Sequence, residues 1–163
     1  MQVVVHPNAV PLVQCFVERD DYILVMPYYR RGDLQREIER RLAEGTRFAE
    51  GEIWGILRDV ISPMAYANYR GIMHRDLKAE NILVGDETDG VTRYYVADFG
   101  LAKELERSLQ SAQSAGTVLY QSPEIKAGTY TVKSDVWSVG VVTYQLMALG
   151  LPFLPAGERS GYH

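Results

Sequence analysis

Residues 73–84 read MHRDLKAENILV, and in this stretch two cations (Arg75, Lys78), a carboxylate (Asp76) and an amide (Asn81) lie between an apolar segment and a short aliphatic run. Asp76 can accept a proton from a hydroxyl. Lys78 stands two residues on, so in an extended loop it points the same way and can neutralise a transferring phosphoryl group. Farther along stands Asp98. An amide oxygen and a carboxylate oxygen that converge suit Mg²⁺, which takes one or two protein oxygens and fills its shell with phosphate and water. A base, a cation and a metal site together describe phosphoryl transfer to an alcohol.

These residues meet only if the flanking elements bring them together. Upstream, residues 50–69 predict a long helix with Ile53, Leu57, Val60, Ile61 and Met64 on one face, weakened by Gly51, Gly55 and Pro63. Downstream, ILVG and VTRYYVAD are strand candidates joined by DETDG, a turn composition, and this hairpin carries Asp98 back beside Asn81. The runs at 10–17 (VPLVQCFV) and 22–28 (YILVMPY) flank the charged turn ERDD, a strand-turn-strand pattern whose second strand should end near Met26, before Pro27. In RRGDLQREIERRLAEG the apolar Leu34, Ile38 and Leu42 recur every four positions, which predicts a short amphipathic helix. The stretch from Asp98 to Gly116 is polar and predicts an exposed loop. SDVWSVGVVTYQLMALG is apolar nearly all round, as a core helix is, with Ser134 to cap its start and Gly150 to end it. The fold class expected is α+β, a small β edge on a mostly helical body.

Composition sets the bounds. The 163 residues suffice for one domain, and 47% hydrophobic with 23% charged is ordinary for a globular chain. A net charge of −4 gives no reason to expect a nucleic-acid or membrane partner. The lone Cys15, set in LVQCFV, reads as a buried small hydrophobe and excludes an internal disulfide. MQVVVHPNAV lacks the basic-then-apolar pattern of a signal peptide. The longest apolar run, Val136 to Leu149, is too short to span a bilayer. The expectation is a soluble protein, cytoplasmic or otherwise intracellular, of unspecified oligomeric state.

The motifs resemble those of the eukaryotic protein kinases. HRDLKAEN resembles the catalytic loop of that family, and Asp98, Phe99 and Gly100 (DFG) its metal-binding motif. SPE (Ser122, Pro123, Glu124) resembles the motif that closes the activation segment, usually APE, and SDVWSVG the start of the central helix. Their order and spacing agree with the family's. HPN (His6 to Asn8) is similar to the motif after the regulatory helix, and YILVMPYY to the last small-lobe strand and hinge. Lys78 and the Gly116-Thr117 pair resemble serine/threonine rather than tyrosine kinases, and SPEI with YTVKSDVWSVG leans towards the NIMA-related subfamily.

The resemblance implies roles that spacing alone does not give. Asp76 is the general base, Lys78 the phosphoryl-binding cation, and Asn81 with Asp98 the Mg²⁺ ligands. ATP is the phosphoryl donor and a protein Ser/Thr the acceptor. Met26 is the gatekeeper. The carbonyl of Pro27 and the N–H of Tyr29 face the adenine, Leu83 forms its floor, and Asp33 gives a polar contact near the ribose. Asp135 braces the catalytic-loop backbone, and Arg75 pairs with a phosphorylated residue of the activation segment, in which Ser111, Ser114 and Thr117 lie; His74 reads as a buried packing residue. Ala79 stands where the family usually has Pro, and Asn68 where it commonly has His.

The pattern starts here at its middle. Residues 1–29 correspond to a small-lobe remnant and hinge, joined at Tyr28-Tyr29 to a truncated large lobe at 30–163. A glycine-rich loop, the strand lysine and the regulatory helix find no counterpart in these residues. Val136, Val139, Val142 and Leu146 are expected to leave apolar surface uncovered, and Glu124 to lack its usual Arg partner. A catalytically inactive pseudokinase-like interaction module and a gene fragment are the alternatives to a kinase. Residues 1–163 by themselves are expected to bind ATP more weakly than about 1 mM, roughly −4 kcal/mol. Calorimetry with Mg²⁺ checks this, and micromolar binding would contradict it.

Overall fold

The computed structural model describes residues 4–19, 21–88, 90–99 and 117–153. Its fold is α+β. A hairpin of β1 (Gln14–Glu18) and β2 (Asp21–Val25) comes first, antiparallel, with Gln14 opposite Val25 and Glu18 opposite Asp21. Helix α1 (Leu34–Glu44) and the longer α2 (Glu50–Tyr69) follow. A single 3-10 turn (Ala79–Asn81) leads into β3 (Ile82–Val84), which pairs antiparallel with β4 (Tyr94–Val96). Two more 3-10 turns (Thr117–Tyr120 and Pro123–Ala127) precede α3 (Val132–Ala148). No helix among the described residues is long and apolar enough to cross a membrane.

Each helix has local reasons to start and stop. Asp33 caps α1 by accepting from the Arg36 amide at 2.9 Å, and Gly45 ends it in the left-handed conformation (φ 66°). The Glu52 carboxylate accepts from the Ala49 amide at 2.7 Å at the start of α2. α3 begins earlier than the sequence suggests: Thr131 is its cap, and Ser134, three residues on, lies inside the first turn, its hydroxyl accepting from the Thr131 amide. Its end falls on Leu149 in the left-handed region (φ 56°), not on Gly150.

The main core joins α1, α2, α3 and the β3–β4 sheet. Leu34 and Ile38 of α1, Ile56 and Val60 of α2, Ile82 and Val96 of the β3–β4 pair, and Val142 and Leu146 of α3 are buried in it. Burial of such a side chain contributes about 1.5–3 kcal/mol each. Along β3 the alternation is clean: Ile82 and Val84 point into this core and Leu83 to the other face. Residues 8–10 run beside β4 in a parallel bridge, with Val10 N–H donating to Val96 O and Val96 N–H donating to Asn8 O, both 2.8 Å.

Several expectations are corrected. Cys15 is exposed, because every residue of β1 is exposed and neither face of the hairpin carries a packed layer among the described residues. On α2, Ile61 lies on the solvent side and Ile56 takes its place in the core. On α3, Val136 is exposed as expected, but Val142 and Leu146 are buried and Val139 is half-buried, and Trp137, Tyr144 and Met147 join Val136 in the exposed apolar surface. The helix is also less uniformly apolar than its sequence reads, since Ser134, Asp135, Ser138 and Gln145 are buried with specific partners.

Candidate active site

The loop between α2 and β3 is held from below by one carboxylate. Asp135, in the first turn of α3, accepts the backbone N–H of His74 through Oδ2 and of Arg75 through Oδ1, each at 2.9 Å. Both amides face it because Arg75 adopts a left-handed backbone (φ 70°), which costs a non-glycine residue roughly 1–2 kcal/mol. Asp135 is 1% exposed, so these charge-assisted bonds act in a poorly screened setting. The bracing that the family resemblance implies is therefore present in the geometry.

His74 does more than pack. Its Nε2 bonds the Ala97 carbonyl at 2.8 Å, and its Nδ1 accepts the Asp76 N–H at 3.3 Å. Its ring meets Phe99 edge-on at 4.9 Å. The Ala97 amide in turn donates to the Asn81 carbonyl at 2.8 Å. The peptide just before Asp98 is thus clamped to the catalytic-type loop on both sides. Asp98 itself is exposed and left-handed (φ 63°), a conformation Asp tolerates better than most residues. This clamp is what delivers Asp98 to the neighbourhood of Asn81.

The His74 bonds fix a neutral imidazole with its proton on Nε2. Burial pushes its pKa below the ordinary 6.5, against the Ala97 carbonyl and the carboxylates of Asp135, Asp76 and Asp98, which pull the other way. A folded-state pKa below the unfolded one adds stability that is complete above pH 6.5 and is lost as pH falls through the folded value. Denaturant unfolding at pH 7.5 and 5.5 should show the domain weaker at the lower pH, with a slope of at most about 1.4 kcal/mol per pH unit from this one proton. His74→Phe should remove that part of the slope; an unchanged slope would show that His74 does not carry it.

Asp76, Lys78 and Asn81 come together as expected. Lys78 Nζ is 3.1 Å from Asp76 Oδ2, and Asn81 Nδ2 donates to the Asp76 carbonyl at 2.7 Å and to Oδ2 at 3.2 Å. The other carboxylate oxygen, Asp76 Oδ1, is buried and has no hydrogen-bond partner. A buried carboxylate oxygen left without a donor costs free energy unless a ligand supplies one, and a hydroxyl group is such a donor. Both side-chain bonds of Asn81 leave from Nδ2, which frees its Oδ1 to act as a ligand. Among the described residues no three His, Cys, Asp or Glu side chains converge; a Mg²⁺ that draws most of its shell from phosphate and water needs only one or two protein oxygens, and Asn81 and Asp98 are the candidates for them.

The residues expected to face the nucleotide are distributed less tightly. Leu83 lies opposite Tyr95 in the β3–β4 register and also bridges to Asp33, so Asp33 and Leu83 are neighbours. The Asp33 carboxylate is engaged as the α1 cap and with Arg36 at 3.5 Å, which leaves it a shared rather than a dedicated polar contact. Met26 is exposed, and Pro27 and Tyr29 lie on the connection between β2 and α1. Tyr29 packs on Tyr95, with ring centroids 5.1 Å apart, beside a cavity of about 410 Å³ that also touches Pro7, Pro27 and Asp86. That cavity is lined by neither Asp76, Asn81, Asp98 nor Leu83. Glu124 accepts from Ser134 Oγ at 3.1 Å. Gly100, Ser111, Ser114 and Gly116 lie outside the described residues.

Sequence reasoning missed two polar supports. Asp59 of α2 is 2% exposed and accepts the Tyr94 N–H at 3.1 Å, with Arg58 and Arg93 beside it, so it ties α2 to β4. A charged residue on the apolar face of α2 was the available signal. Tyr120 donates to Gln145 Oε1 at 2.8 Å, and Gln145 donates to Gln35 at 2.7 Å, linking the 117–120 turn to α3 and α1. Nothing in the spacing pointed to that chain.

The chain matches the family described as protein kinase domain over residues 1–162. It is 34% identical, over 91% of its length, to the probable serine/threonine-protein kinase nek1 of Dictyostelium discoideum, of which it covers 34%. It is 33% identical over 93% of its length to calcium-dependent protein kinase 27 of Arabidopsis thaliana, covering 31% of it. It is 35% identical over 91% of its length to the serine/threonine-protein kinase Nek10 of Mus musculus, covering 13% of it. The chain therefore spans about a third or less of the length of these curated relatives. NIMA-related kinases are among its relatives, beside calcium-dependent kinases at similar identity. Match and geometry lead to one conclusion: the chain belongs to the protein kinase family, whose members generally use ATP and Mg²⁺ and act on protein substrates.

Proposed function

We propose that the chain is part of a serine/threonine protein kinase and carries the groups that move the γ-phosphoryl of ATP to a protein Ser/Thr hydroxyl. The observation that carries this reading is the unpartnered Asp76 Oδ1, placed on a carboxylate whose other oxygen is already held by Lys78 and Asn81. Oδ1 receives the acceptor hydroxyl and orients it. Lys78, 3.1 Å from Oδ2, stands where negative charge grows during transfer. Asn81 and Asp98 would hold Mg²⁺, which when bound would neutralise charge on the phosphates. Pro27, Tyr29, Leu83 and Asp33 seat the adenosine, with Met26 at its inner edge. Residues 1–29 belong to the small lobe and hinge, and 30–163 to the large lobe; the exposed faces of the β1–β2 hairpin support that division.

In the full-length protein, Asp98→Asn is expected to weaken Mg²⁺-dependent nucleotide binding by about tenfold or more, since Asp98 is the charged member of the proposed ligand pair and the substitution removes that charge. Calorimetry with and without Mg²⁺ measures this. Equal affinity in both proteins would remove Asp98 from the metal site. The competing reading, an inactive module that binds partners, is disfavoured by the intact Asp76, Asn81 and Asp98. It would prevail if purified full-length protein transferred no radiolabelled phosphate from ATP to a generic Ser/Thr substrate.

A further inference from the structure

Tyr130 lies in the short connection between the 123–127 turn and α3, just after Gly128, whose φ of 78° turns the chain. Its hydroxyl donates to Asp135 Oδ1 at 2.6 Å, the same oxygen that accepts the Arg75 N–H. Its ring lies under the Arg75 guanidinium, 5.7 Å from carbon to centroid. Tyr130 therefore meets Arg75 twice, once through the side chain and once through the carboxylate that holds the Arg75 backbone.

This placement matters because Asp135 alone does not fix its own orientation. The two amides on its oxygens come from adjacent residues of one loop, and the terminal torsion of the carboxylate is broad for this residue type, so loop and carboxylate can shift together. A third donor in a different direction removes that freedom. The phenol is a durable donor, since burial and then the Asp135 carboxylate push its pKa far above the ordinary 10. The left-handed Arg75 backbone is uphill by itself and relaxes unless held, and Asp76 is the next residue along.

We propose that Tyr130 is a positioning residue for phosphoryl transfer: its hydroxyl orients Asp135 and its ring seats Arg75, so the connection after the SPE motif sets where Asp76 stands. The kinetic part of this inference rests on the function proposed above; the structural part does not.

The test compares Tyr130→Phe, which keeps the ring, with Tyr130→Leu, which keeps neither ring nor hydroxyl, in the full-length protein well below the melting temperature. Hydrogen exchange at the His74 and Arg75 amides should rise about tenfold in Tyr130→Phe. Its kcat should fall about tenfold, because small misplacements of reacting groups are costly in rate. The KM for ATP should stay within about twofold, since no nucleotide contact is touched. Tyr130→Leu should lose more of both. A Phe variant that matches wild type in exchange and kcat would overturn the proposal, as would one that only melts lower. If wild-type protein transfers no phosphate, the kinase reading fails, and the exchange rates still decide the role of Tyr130.

Discussion

Asp76→Asn is expected to slow phosphoryl transfer by roughly 10²–10⁴, the range for loss of a positioned general base. That is about 3–5 kcal/mol of transition-state stabilisation. The substitution keeps the side chain's shape, and its amide oxygen can still face Lys78. An NH₂ group then stands where Oδ1 was, and it can neither accept the hydroxyl's hydrogen bond nor take its proton. Nucleotide affinity should hardly change, because Asp76 is bonded to Lys78 and Asn81 and stands on the acceptor side of the site. Radiolabel transfer and calorimetric nucleotide binding, measured on the same full-length preparations, separate the two effects. If Asp76→Asn and Asp98→Asn lost nucleotide binding equally, the division of roles between base and metal ligand would be wrong.

The second large effect concerns stability. Asp135→Ala should destabilise the domain by about 3–5 kcal/mol, the cost of breaking a buried charged network by removing one member. The amides of His74 and Arg75 and the Tyr130 hydroxyl would all lose their acceptor in a site that water reaches poorly. In a domain of this size that loss lowers the melting temperature by roughly 10 °C or more. Calorimetric melting checks it. A fall of only a degree or two would mean that the loop finds other acceptors at little cost and that Asp135 is not its principal brace.

What the sequence revealed and what it hid have a common physical basis. Elements written in periodicity were legible: α1 from Leu34 and Ile38, α2 over its full range, and the β3–β4 hairpin from its two aliphatic runs and turn. The Asp76–Lys78–Asn81 cluster was legible because its members are close in sequence and their spacing restricts the loop. Long-range polar bonds were not. The links from His74 to Ala97, Asp59 to Tyr94 and Tyr120 to Gln145 join distant residues, and no local pattern encodes them. His74 was read as packing because a buried imidazole and a latch share one composition; only the paired bonds on its two nitrogens tell them apart. Cys15 misled for the reverse reason. Its apolar neighbours suggested a core, but whether a strand is covered depends on what is layered over it.

The uncovered face of α3 has a spectroscopic consequence. The chain has two tryptophans, and both sit at the surface: Trp54 is 62% exposed, and Trp137, on that face, is 37% exposed and stacked on Phe153 at 5.8 Å. Native emission should already lie towards the long-wavelength end, so unfolding will shift it little and intrinsic fluorescence will be a poor reporter of denaturation. The same placement makes Trp137 a sensitive reporter of the surface itself. Whatever covers that helix face dries the indole and moves its emission to shorter wavelength, while Trp54, on α2, supplies an internal reference.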